Sequence, residues 1–298
     1  MTDITLLDGS IGQELVKRAP QAPTPLWSTQ VMLDHPEFVR DVHRIYFETG
    51  ATIATANSYP LLRNRLTNNG IADQFEALHK AALRIAIDAR DAHGSGRVAT
   101  ALGPLGASYR PDLAPVPKDA AREYAEIVAL HEAETDLFLI ETVSGLRAAE
   151  GALMGTVRTR QPVWLCLSTQ DGDGHLLRSG EPLADVAPLV DQYAPDAVLV
   201  NCTTPEATSK SLDIVKGFNK PFGAYANGFT KIADDFKVVN QVVDALTARA
   251  DLTPTAYADF AMGWIAQGAT IVGGCCEVGP DHITEIARRL RDAGHTIV

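Results

Sequence analysis

Residues 197–225 read AVLVNCTTPEATSKSLDIVKGFNKPFGAY. Ala197–Asn201 is a short apolar, β-branched run, the pattern of a buried strand. Glu206–Phe218 is a longer amphipathic stretch and reads as a helix. Phe222–Tyr225 is apolar again and reads as a second strand. A strand, a crossover helix and another strand make one βα unit of a parallel sheet.

The same grammar extends in both directions. Strands are expected at Ile4–Asp8, Thr52–Ala56, Arg97–Leu102, Asp136–Glu141, Val163–Ser168 and Thr270–Gly273. Helices are expected at Pro36–Thr49, Ile71–His93, Lys118–His131, Leu146–Thr159, Leu183–Tyr193, Pro254–Gln267 and Asp281–Ala293. With the central unit, that is a strict alternation of eight strands and eight helices. It predicts an α/β fold, a single (β/α)8 TIM barrel, as one domain over residues 1–298. The rival, a doubly wound open sheet, lacks its nucleotide signature, because no GxGxxG or GxxxxGK[ST] run follows the first strand. Two Pro-rich segments, Ala19–Leu26 and Tyr109–Pro117, read as rims or lids.

Composition narrows the function. Apolar residues make up 46% and charged residues 21% of 298, an ordinary globular balance. Acids outnumber Lys and Arg by 37 to 26, a formal charge of −11 with no basic run, which excludes a phosphate-backbone grip and hence a nucleic-acid partner. No apolar stretch is long enough for a membrane span, and the start of the chain lacks a secretory signal pattern. The expectation is a cytoplasmic protein with reduced thiols and no membrane partner.

In a barrel the chemistry sits where strands end. Three of the four cysteines fall there: Cys202 after the sixth strand, Cys275 and Cys276 after the eighth. Three thiolates with an open fourth position suit Zn2+, which is soft and tetrahedral. Zinc keeps a bound thiol deprotonated, so the substrate this site suits is itself a thiol. Cys166 lies inside the fifth strand and reads as core. Asp171-Gly172-Asp173-Gly174 reads as a turn, since no Glu stands where a calcium loop needs one. No histidine ends a strand, which argues against a metal hydrolase. A non-catalytic zinc-binding barrel remains the other alternative.

These residues carry a resemblance. Leu7-Asp8-Gly9-Ser10, Leu26-Trp27-Ser28, His35-Pro36-Glu37, Ser58-Tyr59, Gly103-Pro104-Leu105-Gly106-Ala107, Glu141-Thr142, Asn201-Cys202-Thr203-Thr204-Pro205-Glu206 and Gly273-Gly274-Cys275-Cys276 with Pro280-Asp281-His282-Ile283 occur in order along nearly the whole chain. Together they resemble the zinc-dependent homocysteine S-methyltransferases, on the S-methylmethionine-using branch. The resemblance implies Cys202, Cys275 and Cys276 as zinc ligands. It implies Glu141 as holder of the acceptor's amino group, and Asp8 with the backbone of Gly9 and Ser10 as the other clamp on the amino acid. Asn201 and Asn57 could orient ligands or brace loops, and Trp27 or Tyr59 could form a wall for a cationic donor. The implied reaction moves a methyl group from a sulfonium to homocysteine, giving methionine. S-adenosylmethionine is the poorer donor, and a betaine-like donor or another thiol acceptor is the alternative. The chain departs from the family pattern at Gln13, Tyr225-Ala226-Asn227-Gly228-Phe229 and Glu277-Val278-Gly279. Glu277, beside the thiols, is expected to add a carboxylate that favours a cationic donor.

Overall fold

Each strand of the computed structural model is an apolar run that pairs in parallel with its neighbours; residues 2–232 and 246–298 are described. The chain opens with β1 (Asp3–Leu6), α1 (Ile11–Arg18), α2 (Ser28–Asp34), α3 (Pro36–Thr49) and β2 (Ile53–Ala56). It continues through α4 (Arg63–Asn68), α5 (Phe75–His93), β3 (Arg97–Leu102), α6 (Pro117–His131), β4 (Leu137–Val143), α7 (Leu146–Thr156) and β5 (Val163–Leu167). Next come α8 (Ala187–Tyr193), β6 (Ala197–Asn201), α9 (Pro205–Val215), β7 (Phe222–Ala226), α10 (Pro254–Ala266), β8 (Ile271–Gly274), α11 (Pro280–Asp292) and β9 (Thr296–Ile297).

The sheet order is β2-β3-β4-β5-β6-β7-β8-β1-β9. The first and last of the eight long-range neighbours meet: Leu7 bridges Ile53 in parallel, and Thr52 N donates to Leu6 O at 2.8 Å. That contact closes the ring into a (β/α)8 barrel, as the alternation predicted. β9 pairs with the beginning of β1, at the end of the barrel away from the strand C-termini.

Period-two alternation then decides which side chains enter the ring. Leu137 and Leu139 of β4, Trp164 and Cys166 of β5, and Ala197 and Leu199 of β6 form one buried interior cluster with Tyr225 and Ile271. Continuing that parity puts Glu141 and Asn201 at the top of the same interior. The intervening Phe138, Ile140, Leu165, Val198 and Val200 face outward and bury against the helices. Each such fully buried aliphatic side chain stabilises the fold by about 1.5–3 kcal/mol. Helix starts are set by proline: Pro36, Pro117, Pro205, Pro254 and Pro280 each occupy the first helical turn, where a missing N–H costs nothing.

The strict alternation of eight strands and eight helices needs correction. Three helices, not one, separate β1 from β2, α4 precedes α5, and β9 follows α11. α1, α2 and α4 run 8, 7 and 6 residues, too short to display a helical period in sequence. β4 runs past Glu141 to Val143, with a register shift between Ile140 and Val143. The Tyr109–Pro117 rim contains a single 3-10 turn at Pro111–Leu113. Part of the long excursion between β7 and α10 lies outside the described residues.

Candidate active site at the mouth of the barrel

A cavity of about 170 Å³ opens at the C-terminal ends of the strands. Asp8, Gly9 and Ser10 after β1, Trp27 on the following loop, and Asn57 and Tyr59 after β2 line it. So do Glu141, Cys202, Tyr225, Cys275 and Cys276. Loops from β1, β2, β4, β6, β7 and β8 thus converge on one space.

Two carboxylates stand on its floor. Asp8 accepts Thr55 N at 2.6 Å on one oxygen and Thr55 Oγ1 at 2.8 Å on the other. Burial nevertheless wins over these bonds and pushes Asp8 up to about 7. Glu141 accepts the Tyr225 hydroxyl at 2.8 Å. Burial first, and then the charge on Cys202, raise it to about 8 despite that bond. Two buried carboxyl groups raised to about 7 and about 8 are poised to ionise against an incoming cation such as an ammonium. The Ser10 N–H is already donated to Val278 O at 2.9 Å. Of the two backbone amides singled out after Asp8, Gly9's is the one without a backbone partner among the described residues.

The thiols come together in the same cavity. Cys202 Sγ and Cys275 Sγ are 2.7 Å apart, and Thr142 Oγ1 donates to Cys202 Sγ at 3.2 Å. Asn201 braces the group: its Nδ2 lies 3.6 Å from Cys202 Sγ and its Oδ1 accepts Thr142 N at 3.1 Å. Burial opposes a charge on Cys202, but hydrogen bonds from Cys275, Cys276, Thr142 and Tyr109 outweigh it and hold this thiol well below its ordinary range. The same sharing pushes Cys275 and Cys276 up. Among the described residues no group of three His, Cys, Asp or Glu side chains already stands at the spacing of a full metal shell. Sulfurs on one tetrahedral zinc lie about 3.8 Å apart, from Zn–S bonds of ~2.3 Å. The Cys202–Cys275 pair must therefore open by about 1 Å to receive one. The donor set itself, three soft sulfurs, fits a soft dication and not a hard one. All four cysteines are free, and Cys166 is buried in the barrel interior, in the cluster against which Cys275 packs.

The backbone around this group is unusual. Thr142, Cys202 and Glu277 all hold positive φ, at 58°, 52° and 65°. Arg178 secures the Cys202 turn, donating to Cys202 O at 2.7 Å and to Ser168 Oγ at 2.7 Å. Its guanidinium pairs with Asp171 at 3.0 Å and stacks over Tyr109 at 4.7 Å. Asp171 also accepts Thr204 N and Ile232 N, so the Asp171–Gly174 turn is a structural hub.

The aromatic wall is built on a glycine. Trp27 and Tyr59 meet edge to face with ring centroids 6.4 Å apart. A Cβ at Gly12 would lie 2.1 Å from the Trp27 ring, so only glycine lets the indole lie there. Trp27 Nε1 donates to Gln13 Oε1 at 3.1 Å, and Gln13 Nε2 donates to Glu277 Oε1 at 2.8 Å. Lys17 pairs with the other Glu277 oxygen at 2.8 Å. Glu277 is thus turned toward Gln13 and Lys17 and does not line the cavity, which corrects the expectation that it adds a carboxylate facing the donor. Asn57 accepts Ser28 Oγ at 2.7 Å and braces the loop under Trp27. Thr55, Tyr225, Tyr109, Arg178 and Asp171 escaped the sequence reading as site residues. Only Tyr225 carried a signal, its place at the end of a strand.

A sequence profile described as homocysteine S-methyltransferase matches residues 5–290. The chain belongs to the homocysteine S-methyltransferase family. It is thus an enzyme of methyl transfer to homocysteine, acting on small molecules. The chain is 30% identical to the homocysteine S-methyltransferase of Escherichia coli (strain K12), covering 96% of this chain and 95% of that protein. It is 27% identical to homocysteine S-methyltransferase YbgG of Bacillus subtilis (strain 168), covering 97% and 95%. The metallated form of the homocysteine methyltransferase MmuM from Escherichia coli superposes with a TM-score of 0.81 at 27% identity, over 97% of this chain and 96% of that one. Among the described residues of this homocysteine S-methyltransferase family member, no helix is long and apolar enough to cross a membrane.

Proposed function

We propose that this protein is a single-domain barrel enzyme that transfers a methyl group from S-methylmethionine to the sulfur of homocysteine, giving methionine, with zinc held by Cys202, Cys275 and Cys276. The observation that carries this reading is the meeting of three thiols with two buried carboxyl groups in one cavity. Bound to those sulfurs, zinc supplies a positive charge that lowers the pKa of the acceptor thiol.

The chain's own groups do the rest. Glu141, backed by the Tyr225 hydroxyl, ionises against the homocysteine ammonium, and Asp8, anchored on Thr55, flanks it. The Gly9 N–H is directed to the carboxylate of the same molecule. Thr142 and Asn201 fix Cys202, and Arg178 holds the peptide that carries it. Trp27 and Tyr59 present π faces to the donor's sulfonium. A new C–S bond forms on the acceptor as the donor's C–S bond breaks, and the donor sulfur keeps the electron pair as a thioether. A cation and an anion become two uncharged sulfurs, so a site with little water favours the transition state over the separated ions. Free thiols throughout fit a reducing compartment, and we place the protein in the cytoplasm.

The test is a competition assay. Homocysteine is offered with equal S-methylmethionine, S-adenosylmethionine and betaine, methionine is measured, and metal per chain is determined on the same preparation. S-methylmethionine leading with one zinc per chain is expected. Betaine outpacing both sulfonium compounds overturns the donor, and full activity in metal-free protein overturns the zinc.

A further inference from the structure

Arg65 sits in α4, the six-residue helix just after Tyr59, and lines the cavity together with Asn64 and Asn68. One side of this helix therefore faces the mouth. Arg65 is half-buried, and among the described residues no ion pair and no side-chain hydrogen bond engages its guanidinium. Its neighbour shows the contrast: Arg63 pairs with Glu126 and lies 4.1 Å over the Phe75 ring. The Asn64 amide is spent on Gly106 O at 3.0 Å, while among the described residues no hydrogen bond occupies the Asn68 side-chain amide. Burial lowers the pKa of Arg65, and the one neighbour that opposes this is the Tyr59 phenol, not a carboxylate. The guanidinium stays protonated in any case.

A half-buried cation without a partner is costly. It is also out of place in a chain with 37 acids and a net charge of −11, unless an anion is meant to arrive. The cavity is polarised: both lining carboxylates, Asp8 and Glu141, are held on Thr55 and Tyr225, while Arg65 stands with the aromatic wall. An amino-acid acceptor puts its ammonium on the carboxylates. The methyl donor comes past Tyr59, and an amino-acid sulfonium carries a carboxylate a short alkyl chain away from its sulfur.

We propose that Arg65, with the Asn68 amide beside it, binds the carboxylate of the methyl donor and so selects a zwitterionic amino-acid sulfonium over a bare one. This inference rests on the methyl-transfer reading above. It assigns the cavity two separate carboxylate positions, the Gly9 amide for the acceptor and Arg65 for the donor. With its carboxylate anchored on Arg65, the donor turns its sulfonium end toward the thiols.

Calorimetry tests it without turnover. Dissociation constants are measured for S-methylmethionine and for its decarboxylated analogue, dimethyl(aminopropyl)sulfonium, on the wild-type protein, Arg65→Gln and Arg65→Lys. Loss of a charge-assisted hydrogen bond predicts that Arg65→Gln weakens S-methylmethionine roughly 10- to 150-fold. The analogue's affinity is expected not to move, and Arg65→Lys should restore part of the loss. Equal weakening of both ligands, no weakening of either, or no S-methylmethionine binding to the wild type overturns the proposal. Methyl transfer is followed in parallel. Turnover that persists while binding ignores Arg65 removes this inference and leaves the function. Arg65-dependent binding without turnover does the reverse.

Discussion

Glu141→Gln should make the protein more stable while making it a worse enzyme. The folded carboxyl is raised from 4.5 to about 8 by burial and by the charge on Cys202. Between those values the folded state holds a proton that the unfolded chain has released, so the energy of unfolding falls as pH rises. Each pH unit above 4.5 costs about 1.4 kcal/mol, which amounts to roughly 3 kcal/mol by pH 7. Glutamine keeps the shape and can still accept the Tyr225 hydroxyl, yet it has no charge to bury. The expected gain is therefore about 3 kcal/mol at pH 7, or roughly 5 °C in Tm for a chain of this length. The gain should vanish below pH 4.5 and level off above pH 8. The assay is thermal unfolding of reduced, chelator-treated protein across that range, because a cation on the thiols would mask the Cys202 charge. Homocysteine affinity of the zinc-loaded variant should drop roughly 10- to 150-fold, the worth of an ionic hydrogen bond. A Tm that is unchanged or lower at pH 7, or a gain that persists in acid, would refute the reasoning.

Other outcomes follow from the same geometry. Cys275→Ser should lose bound metal, while Cys166→Ala should keep it; elemental analysis per chain under reductant reads both. Gly12→Ala drives a methyl into the Trp27 ring, 2.1 Å away, and should raise the KM for the sulfonium donor while the homocysteine KM holds. A lost cation–π contact is worth about 0.5–2 kcal/mol, or roughly 2- to 30-fold. Tyr225→Phe removes the donor that lowers Glu141, so the carboxyl rises further above about 8. Because the ionised form holds the ammonium, the pH midpoint of homocysteine binding should move up by about one unit.

The barrel was legible because its strands are short apolar runs whose ends can be read off directly; those ends supplied the three thiols, and the family resemblance supplied the roles of Asp8 and Glu141. α1, α2 and α4 stayed hidden because a helix of 6–8 residues makes too few turns to leave a period. The support of the site was hidden for another reason. Tyr225 reaches Glu141 across 84 residues and Gln13 reaches Glu277 across 264, and nothing local in the chain encodes such meetings. Glu277 shows the hazard: its neighbours in sequence are the thiols, but its partners in space are Gln13 and Lys17.

Thr142 has a φ of 58°, a conformation that a β-branched side chain resists. Such a residue costs about 1–3 kcal/mol, and glycine at the same place costs far less. Heat selection alone would therefore reward Thr142→Gly. The same exchange deletes the hydroxyl that steadies Cys202 Sγ at 3.2 Å. At this residue endurance and turnover pull in opposite directions: the strained backbone is the cost of holding the hydroxyl on Cys202.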